Sequence, residues 1–394
     1  MSAFRKSYLT VWVTALVVLL ASQAVLADGK MVIKPYVDLT LQRDSNYWKV
    51  DNDEKSVVTF TFAPGFEFGY TTDKSDVLMD YTLGANWFYS QDSTPAGGVR
   101  ANNLDFVSHN LKALASTQAT DRLNLGVEEL FLYTRDPAYS AEYNNITSRE
   151  KYFINRLTPQ AFYDFDGKFG AGVKYVNEVI DYNSKTEEDS TKNGGAFDLK
   201  YNLNMESSVD LEYLIWTRDF DGPDSDYTSN KIMASFSQQF NIFNLKVGAG
   251  YHDRSFDKSG IDDIDLFVWK VELTGQNPPR GLGEVKSHMK VALSQDMNDL
   301  GYGQTYYKAT RLDVEVGSMV MEKLDATLAG YFQNSDYEKD ASDREDDSWL
   351  ISGRLNYVIN DRFAAGLEAG FETRDSNLAG LDYDNTYVLV NFRA

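Results

Sequence analysis

Residues 77–89 read Val77-Leu78-Met79-Asp80-Tyr81-Thr82-Leu83-Gly84-Ala85-Asn86-Trp87-Phe88-Tyr89, and their alternation decides the fold. The odd positions (Val77, Met79, Tyr81, Leu83, Ala85, Trp87 and Tyr89) make one apolar face. The even ones (Leu78, Asp80, Thr82, Gly84, Asn86 and Phe88) are mostly small or polar. A period of two sends the two sets to opposite sides of a β-strand. The pattern repeats on either side of this stretch. Ile33, Pro35, Val37, Leu39 and Leu41 alternate with Lys34, Tyr36, Asp38, Thr40 and Gln42. Val58, Phe60, Phe62, Pro64, Phe66 and Phe68 alternate with Val57, Thr59, Thr61, Ala63, Gly65 and Glu67. Far downstream, Phe363, Ala365, Leu367, Ala369 and Phe371 alternate with Ala364, Gly366, Glu368, Gly370 and Glu372.

About 18 such segments, within a range of 16–20, follow one another from 31–43 to 385–392. Their breaks alternate between short turns, such as 71–75, 164–168 and 360–362, and long polar loops, such as 90–103, 136–148, 183–192 and 333–346. On antiparallel strands this rhythm gathers the short turns at one end, as in a transmembrane β-barrel with short periplasmic turns and long extracellular loops. The sheet must close, because an unpaired backbone group in lipid costs several kcal/mol. A soluble propeller, sandwich or solenoid would need a fixed-period signature, and none is present. Pro35, Pro64 and Pro159 fall inside proposed strands. Lacking a ladder donor, they are expected at strand ends or bulges.

Composition excludes the main competitors. The 394 residues carry 38 Lys+Arg against 59 Asp+Glu, a net charge of −21, with no cysteine. Disulfides and thiolate metal sites are therefore impossible, and so acidic a chain repels nucleic-acid phosphates. With 23 Phe, 25 Tyr and 6 Trp it is too aromatic to be a disordered acidic chain. A helical membrane bundle would need several long apolar runs, and there is one, at the start. Arg5 and Lys6 precede the apolar stretch 8–21, and Val25 and Ala27 stand at −3 and −1 of a cleavage site before Asp28. Residues 1–27 thus read as a secretory signal peptide and 28–394 as the outer-membrane barrel. Loss of the leader removes Arg5 and Lys6 and makes the mature chain still more acidic.

No catalytic pattern emerges. The chain lacks a metalloprotease helix motif, a phosphate loop, a dinucleotide fingerprint and a nucleophile elbow. His109, His252 and His288 are far apart, each without a His or carboxylate at ligand spacing. Glu368 and Glu372 share a strand face but lie about 13 Å apart, beyond the roughly 5–9.5 Å of glycosidase pairs. Glu128 and Glu129 point to opposite faces. The expectation is no enzyme, no cofactor and no metal site. Acidic clusters such as Asp51-Asn52-Asp53-Glu54, Glu187-Glu188-Asp189 and Asp262-Asp263-Ile264-Asp265 read as solvated loops.

Strand parity gives the candidate pore lining: Lys34, Asp38, Thr40, Gln42, Asp80, Asn86, Asp198, Lys200, Asp210, Glu212, Glu368 and Glu372, with Arg218, Arg254 and Arg374 near the outer mouth. A barrel of this size leaves room for water. Acids outnumber bases in this set, so a neutral-to-cation preference is expected. Arg43 and Arg135 have the apolar parity and are placed to meet lipopolysaccharide phosphates.

One family shares several of these motifs. Thr305-Tyr306-Tyr307-Lys308-Ala309-Thr310, Val314-Glu315-Val316, Ser335-Asp336-Tyr337, Arg344-Glu345-Asp346-Asp347 and Leu355-Asn356-Tyr357 lead to the most specific part, Thr373-Arg374-Asp375-Ser376-Asn377-Leu378-Ala379-Gly380-Leu381-Asp382-Tyr383-Asp384-Asn385. Together with Arg43-Asp44-Ser45-Asn46 and Phe62-Ala63-Pro64-Gly65, they resemble the beta-barrel porin type 2 family. Its members include outer-membrane proteins of exopolysaccharide operons, and it offers no catalytic residues. One departure is the ending, where Phe392 is followed by Arg393-Ala394. The resemblance implies an outer-membrane conduit for exopolysaccharide export. Its partners would be membrane lipid and lipopolysaccharide, the barrel assembly machinery, periplasmic polysaccharide-export proteins and the polysaccharide itself. The alternatives are a general or solute-specific uptake porin and a porin-like sheath for a multihaem electron-transfer cytochrome. The chain has no cysteine with which to hold a c-type haem covalently.

Overall fold

The structure is a computed structural model. It describes residues 29–90, 101–136, 149–183, 188–222, 226–258, 261–277, 286–298, 306–337 and 343–394. The proposed leader with its Ala27–Asp28 junction, and the centres of several long loops, lie outside the described residues. Eighteen strands run in chain order: β1 (Lys30–Asp44), β2 (Val57–Thr71), β3 (Ser75–Ser90), β4 (Phe106–Gln118), β5 (Leu123–Thr134), β6 (Tyr152–Asp164), β7 (Phe169–Tyr182), β8 (Ser190–Asn202), β9 (Ser207–Phe220), β10 (Tyr227–Gln239), β11 (Phe243–Phe256), β12 (Ile264–Asn277), β13 (Ser287–Met297), β14 (Lys308–Met321), β15 (Leu324–Asp336), β16 (Glu345–Asn360), β17 (Phe363–Ser376) and β18 (Tyr383–Arg393). Among the described residues one 3-10 turn, Ala101–Leu104, precedes β4. Among the described residues no helix is long and apolar enough to cross a membrane.

Each strand pairs antiparallel with its neighbour in sequence, and β1 pairs with both β2 and β18, so the sheet closes on itself. Every short connection lies at one end, which is the periplasmic end in barrels of this kind. The exception there is the longer β12–β13 connection, residues 278–286. The seam is held by Asp38, which receives Arg393 Nε and Nη2 at 2.7 Å each. The register shifts only at Met319/Met321 and Val358/Asn360, both beside periplasmic turns.

Contacts that skip strands identify the inner face. On a concave wall side chains converge, and on a convex one they splay. Tyr36 Oη reaches Asp80 across β2 at 2.7 Å. Arg218 reaches Glu178 across β8 at 2.7 Å, and Lys231 on β10 reaches Asp296 on β13 at 2.5 Å. The opposite face carries most of the exposed large apolar side chains, among them Ile33, Leu41, Phe62, Trp87, Phe197, Ile215, Leu328 and Val390. This inverts soluble packing: the apolar surface is turned outward, as lipid requires. Rings gather at its periplasmic margin, with Tyr163 against Phe165, Phe169 against Tyr201 and Phe363 against Phe392.

The prolines depart from expectation. Pro35, Pro64 and Pro159 all lie within strands, without a register shift. Pro35 pairs only with β2, because β18 ends opposite Asp38. At Pro64 the β2–β3 ladder is interrupted between Phe62 and Gly65, and at Pro159 the β6–β7 ladder is interrupted between Leu157 and Gln160. Each missing donor is thus accommodated on one side while the other side stays in register. The aromatic excess also divides differently. Beyond the lipid-facing rings, Tyr47, Phe88, Tyr152, Trp216, Phe220, Tyr227 and Phe256 are buried in clusters at the outer mouth.

Inner-face glycines make room for neighbouring rings. A Cβ on Gly65 would fall 2.5 Å from Tyr36 Cζ and 2.6 Å from the Tyr81 carbonyl oxygen. Replacement of Gly65 by valine is therefore expected to dislodge Tyr36 and lower stability by about 1–3 kcal/mol. Guanidinium unfolding of the barrel in lipid vesicles measures this, and an unchanged midpoint would contradict it.

Candidate functional site

The inner wall is a lattice of opposed charges. Directly across strand pairs stand Lys34 and Glu67, Asp80 and Lys112, Arg156 and Glu178, Lys200 and Asp210, Lys246 and Glu272, Lys290 and Glu315, Arg354 and Glu368, and Arg393 and Asp38. Opposite charges facing each other stabilise a sheet modestly, and like charges do the reverse. Like pairs interrupt the series: Glu67 faces Asp80, Asp198 faces Glu212, and Lys192 faces Arg218. The acidic bias expected of the wall is thus corrected. The sequence-based set held Asp38, Asp80 and Glu368 but omitted Arg393, Lys112 and Arg354 opposite them, since cross-strand partners are fixed by register rather than proximity in sequence.

The fifteen sequence-selected residues share this inner face but fall into separate groups. Thr40 is level with Asn391, and Gln42 Nε2 donates to Asp44 at 3.0 Å. Asn86 accepts from Thr61 at 2.9 Å and donates to Ser108 at 3.0 Å. Glu368 receives Arg354 at 2.8 Å and the Tyr387 hydroxyl at 2.9 Å. Arg218 and Arg254 are fully buried. Arg218 donates to Ser190 at 2.9 Å and to Glu178, which also binds Arg156 at 2.5 Å. Arg254 donates to Ser229 and to the Asn298 carbonyl, and its guanidinium lies 4.0 Å from the Tyr227 ring centroid. Such paired, stacked arginines lose much of their capacity to attract free anions.

At the mouth, loops fold inward and are pinned. Lys49, in the β1–β2 loop, adopts φ 54° and delivers its ammonium to Glu372 at 2.7 Å. Glu372 also accepts the Tyr383 hydroxyl at 2.9 Å. Arg149, from the β5–β6 loop, donates to the Tyr47 carbonyl at 2.7 Å and stacks on its ring at 4.1 Å. Burial works against the Arg149 charge, yet Tyr47, Asp136, Asp44 and Glu372 hold its pKa above the ordinary value. Arg135 is corrected here. Its strand has ended, and it turns in to donate to the Arg149 carbonyl and stack on Phe106, not out to lipopolysaccharide. Burial pushes its pKa down. Arg43 keeps the lipid-side parity and donates to Ser56.

The C-terminal motif fastens this mouth. Arg374 donates to the Leu381 carbonyl at 2.7 Å, and Ser376 donates to Asp346 at 2.6 Å. Asn385 donates to Asp44 and accepts from the Asn46 backbone. Sequence reading missed Lys49, Tyr47, Arg149 and Glu178. It also missed the carboxylates beside His252 (Asp296, 2.6 Å) and His288 (Glu315, 3.3 Å). Only the doubled Glu128-Glu129 hinted at an unusual wall. Glu129 lies on the outer face, buried against Asn155. Among the described residues no group of three or more His, Asp or Glu is arranged to hold a metal.

Residues 241–394 match the family model described as "Putative beta-barrel porin 2". Over this segment the chain is similar to that family, and its fold is the closed β-barrel of the outer-membrane type. The resemblance noted in the sequence thus holds over the C-terminal segment, while the motifs near Arg43 and Phe62 lie outside the match. Among solved structures, Pseudomonas aeruginosa OpdK with vanillate is 10% identical, with 92% of this chain and 98% of that one covered at a TM-score of 0.50. OccK1 (OpdK) of the same organism is 11% identical, with 93% and 98% covered and the same score. Acinetobacter baumannii OccAB4 is 13% identical, with 93% and 98% covered at 0.49. Comparison with curated proteins returns no match.

Replacing Lys49 by alanine removes the ion pair that ties the first loop to Glu372. The expected outcome is a larger open-channel conductance, with stability lowered by about 1 kcal/mol. Single-channel recording in planar bilayers decides, and unchanged conductance would show that this loop does not narrow the path.

Proposed function

We propose that the chain is a passive outer-membrane channel for small polar solutes, on the uptake-porin pattern. The observation that carries this reading is the packed outer mouth. Trp216, Phe220, Tyr227, Phe256 and Tyr306 form one buried cluster, Tyr47, Phe88 and Leu104 another, and Leu132, Tyr152 and Ile180 a third. On this reading the loops pinned by Lys49 and Arg149 narrow the entrance ahead of the wetter periplasmic half. A sheath for a multihaem cytochrome would need an unobstructed bore, and this packing speaks against it.

Export of an exopolysaccharide has one observation in its favour. The hydroxyls of Tyr36, Tyr383 and Tyr387 donate to Asp80, Glu372 and Glu368 along one side of the wall. Aromatic faces beside carboxylates suit sugar rings and hydroxyls. On this second reading, periplasmic polysaccharide-export proteins are the partners. On either reading the assembly machinery inserts the barrel, and lipid and lipopolysaccharide surround it. Channel passage calls for no catalytic group.

Liposome swelling with a graded series of neutral sugars tests the first reading. Small sugars are expected to enter and trisaccharides to be excluded. Reversal potentials are expected to show only a modest cation preference, because the wall is paired and the surplus acids sit in loops. Equal entry of all sugars, or marked anion selectivity, would contradict it. A deletion strain lacking surface polysaccharide would transfer the weight to export.

A further inference from the structure

The inner wall between β3 and β6 breaks the rule followed elsewhere. Leu78 is 50% exposed on the inner face. The other large apolar side chains this exposed point to lipid or lie at the periplasmic turns and strand ends. Leu114 stands directly opposite Leu78 on one side and Glu128 on the other. Leu130 stands directly opposite Lys112. These residues and Arg156 line a recess of about 590 Å³. Its floor is firm, because Leu130 packs against the cluster of Leu132, Tyr152, Ile154 and Ile180.

The two charges beside the leucines are available. Lys112 and Glu128 are exposed, and although Lys112 faces Asp80 in register, among the described residues neither takes part in an ion pair. Glu128 has only a 3.4 Å contact from the Gln160 amide. The nearby charges are already engaged: Arg156 is bound to Glu178, and Asp80 accepts the Tyr36 hydroxyl. Lys112 and Glu128 are diagonal neighbours on adjacent strands, about 7–8 Å apart at the backbone, within reach of one small solute. A free cation, a free anion and an apolar patch thus share one wet recess.

We propose that this recess is a binding subsite for an amphiphilic zwitterion, an aliphatic amino acid, on the permeation path. The carboxylate meets Lys112, the ammonium meets Glu128, and the branched side chain covers Leu78 and Leu114. Burying those exposed leucines supplies the apolar attraction, while both charges are matched at once. The subsite deepens the small-solute reading and rests on it.

The test uses the full barrel in planar bilayers and liposomes, with L-leucine, 4-methylpentanoate, 3-methylbutylamine, glycine and arabinose as probes. Leucine is expected to reduce channel current saturably, while glycine and either singly charged analogue act at least tenfold more weakly. Lys112→Gln, Glu128→Gln and Leu78→Ser are each expected to raise the half-blocking leucine concentration at least tenfold, with arabinose entry unchanged as evidence of folding. If arabinose enters and leucine causes no saturable block, the subsite is wrong and the channel reading stands. Equal block by 4-methylpentanoate makes it a plain anion site and overturns the zwitterion assignment. If neither arabinose nor leucine enters, the channel reading itself falls.

Discussion

Pairing of β1 with β18 is the constraint on which everything else depends. A strand edge left open in lipid would expose unpaired N–H and C=O groups at several kcal/mol each. Closure removes that edge, and the Asp38–Arg393 contact, with mutual backbone bonds between Val37 and Ala394, secures the seam. Once the sheet is a closed cylinder, each strand's two faces have different solvents. The outer set must be apolar and the inner set polar. The period-two pattern and the inner glycines that seat Tyr36 and Tyr387 on the wall both follow from closure.

The inner wall then has an electrostatic problem of its own. An acidic chain that lined its lumen with uncompensated carboxylates would destabilise its own strands, because like charges would face each other across every ladder. The structure limits this by setting a lysine or arginine opposite Asp38, Glu67, Asp80, Glu178, Asp210, Glu272, Glu315 and Glu368. At the outer mouth the charges are also buried, stacked on aromatic rings and tied to loops. Toward the periplasm they remain solvated. The wall thus grades from packed and bonded at the outer mouth to wet and open toward the periplasm.

Much of the fold was legible because burial in lipid imposes alternation, and alternation survives in the sequence. Strand β1 was read as 31–43 and is Lys30–Asp44, and the count of eighteen follows from the same signal. The reading weakened where strands stand above the membrane. β8 begins at Ser190, inside the stretch 183–192 that reads as loop, because Ser190 to Gly194 are polar or small on both faces. A strand of 16 residues such as β3 spans about 50 Å, far more than the roughly 25 Å apolar band needs even when tilted. The inward parity of Asp80, Glu368 and Arg374 was readable from alternation alone. The contact of Lys49 with Glu372, 323 residues away, was not, since barrel closure and loop folding bring them together. Arg135 was misplaced for a related reason: parity has no meaning once the strand has ended.

Alternate residues of each strand face water inside the closed barrel and lipid outside it. Because the chain has no cysteine, single cysteines placed along β17 test it directly. A charged, membrane-impermeant thiol reagent should modify Glu368→Cys and Gly370→Cys and reduce single-channel current. It should leave Leu367→Cys, Ala369→Cys and Phe371→Cys unmodified, with those sites reacting only to a lipid-soluble reagent. Modification of both sets alike, or of neither, would contradict a water-filled barrel.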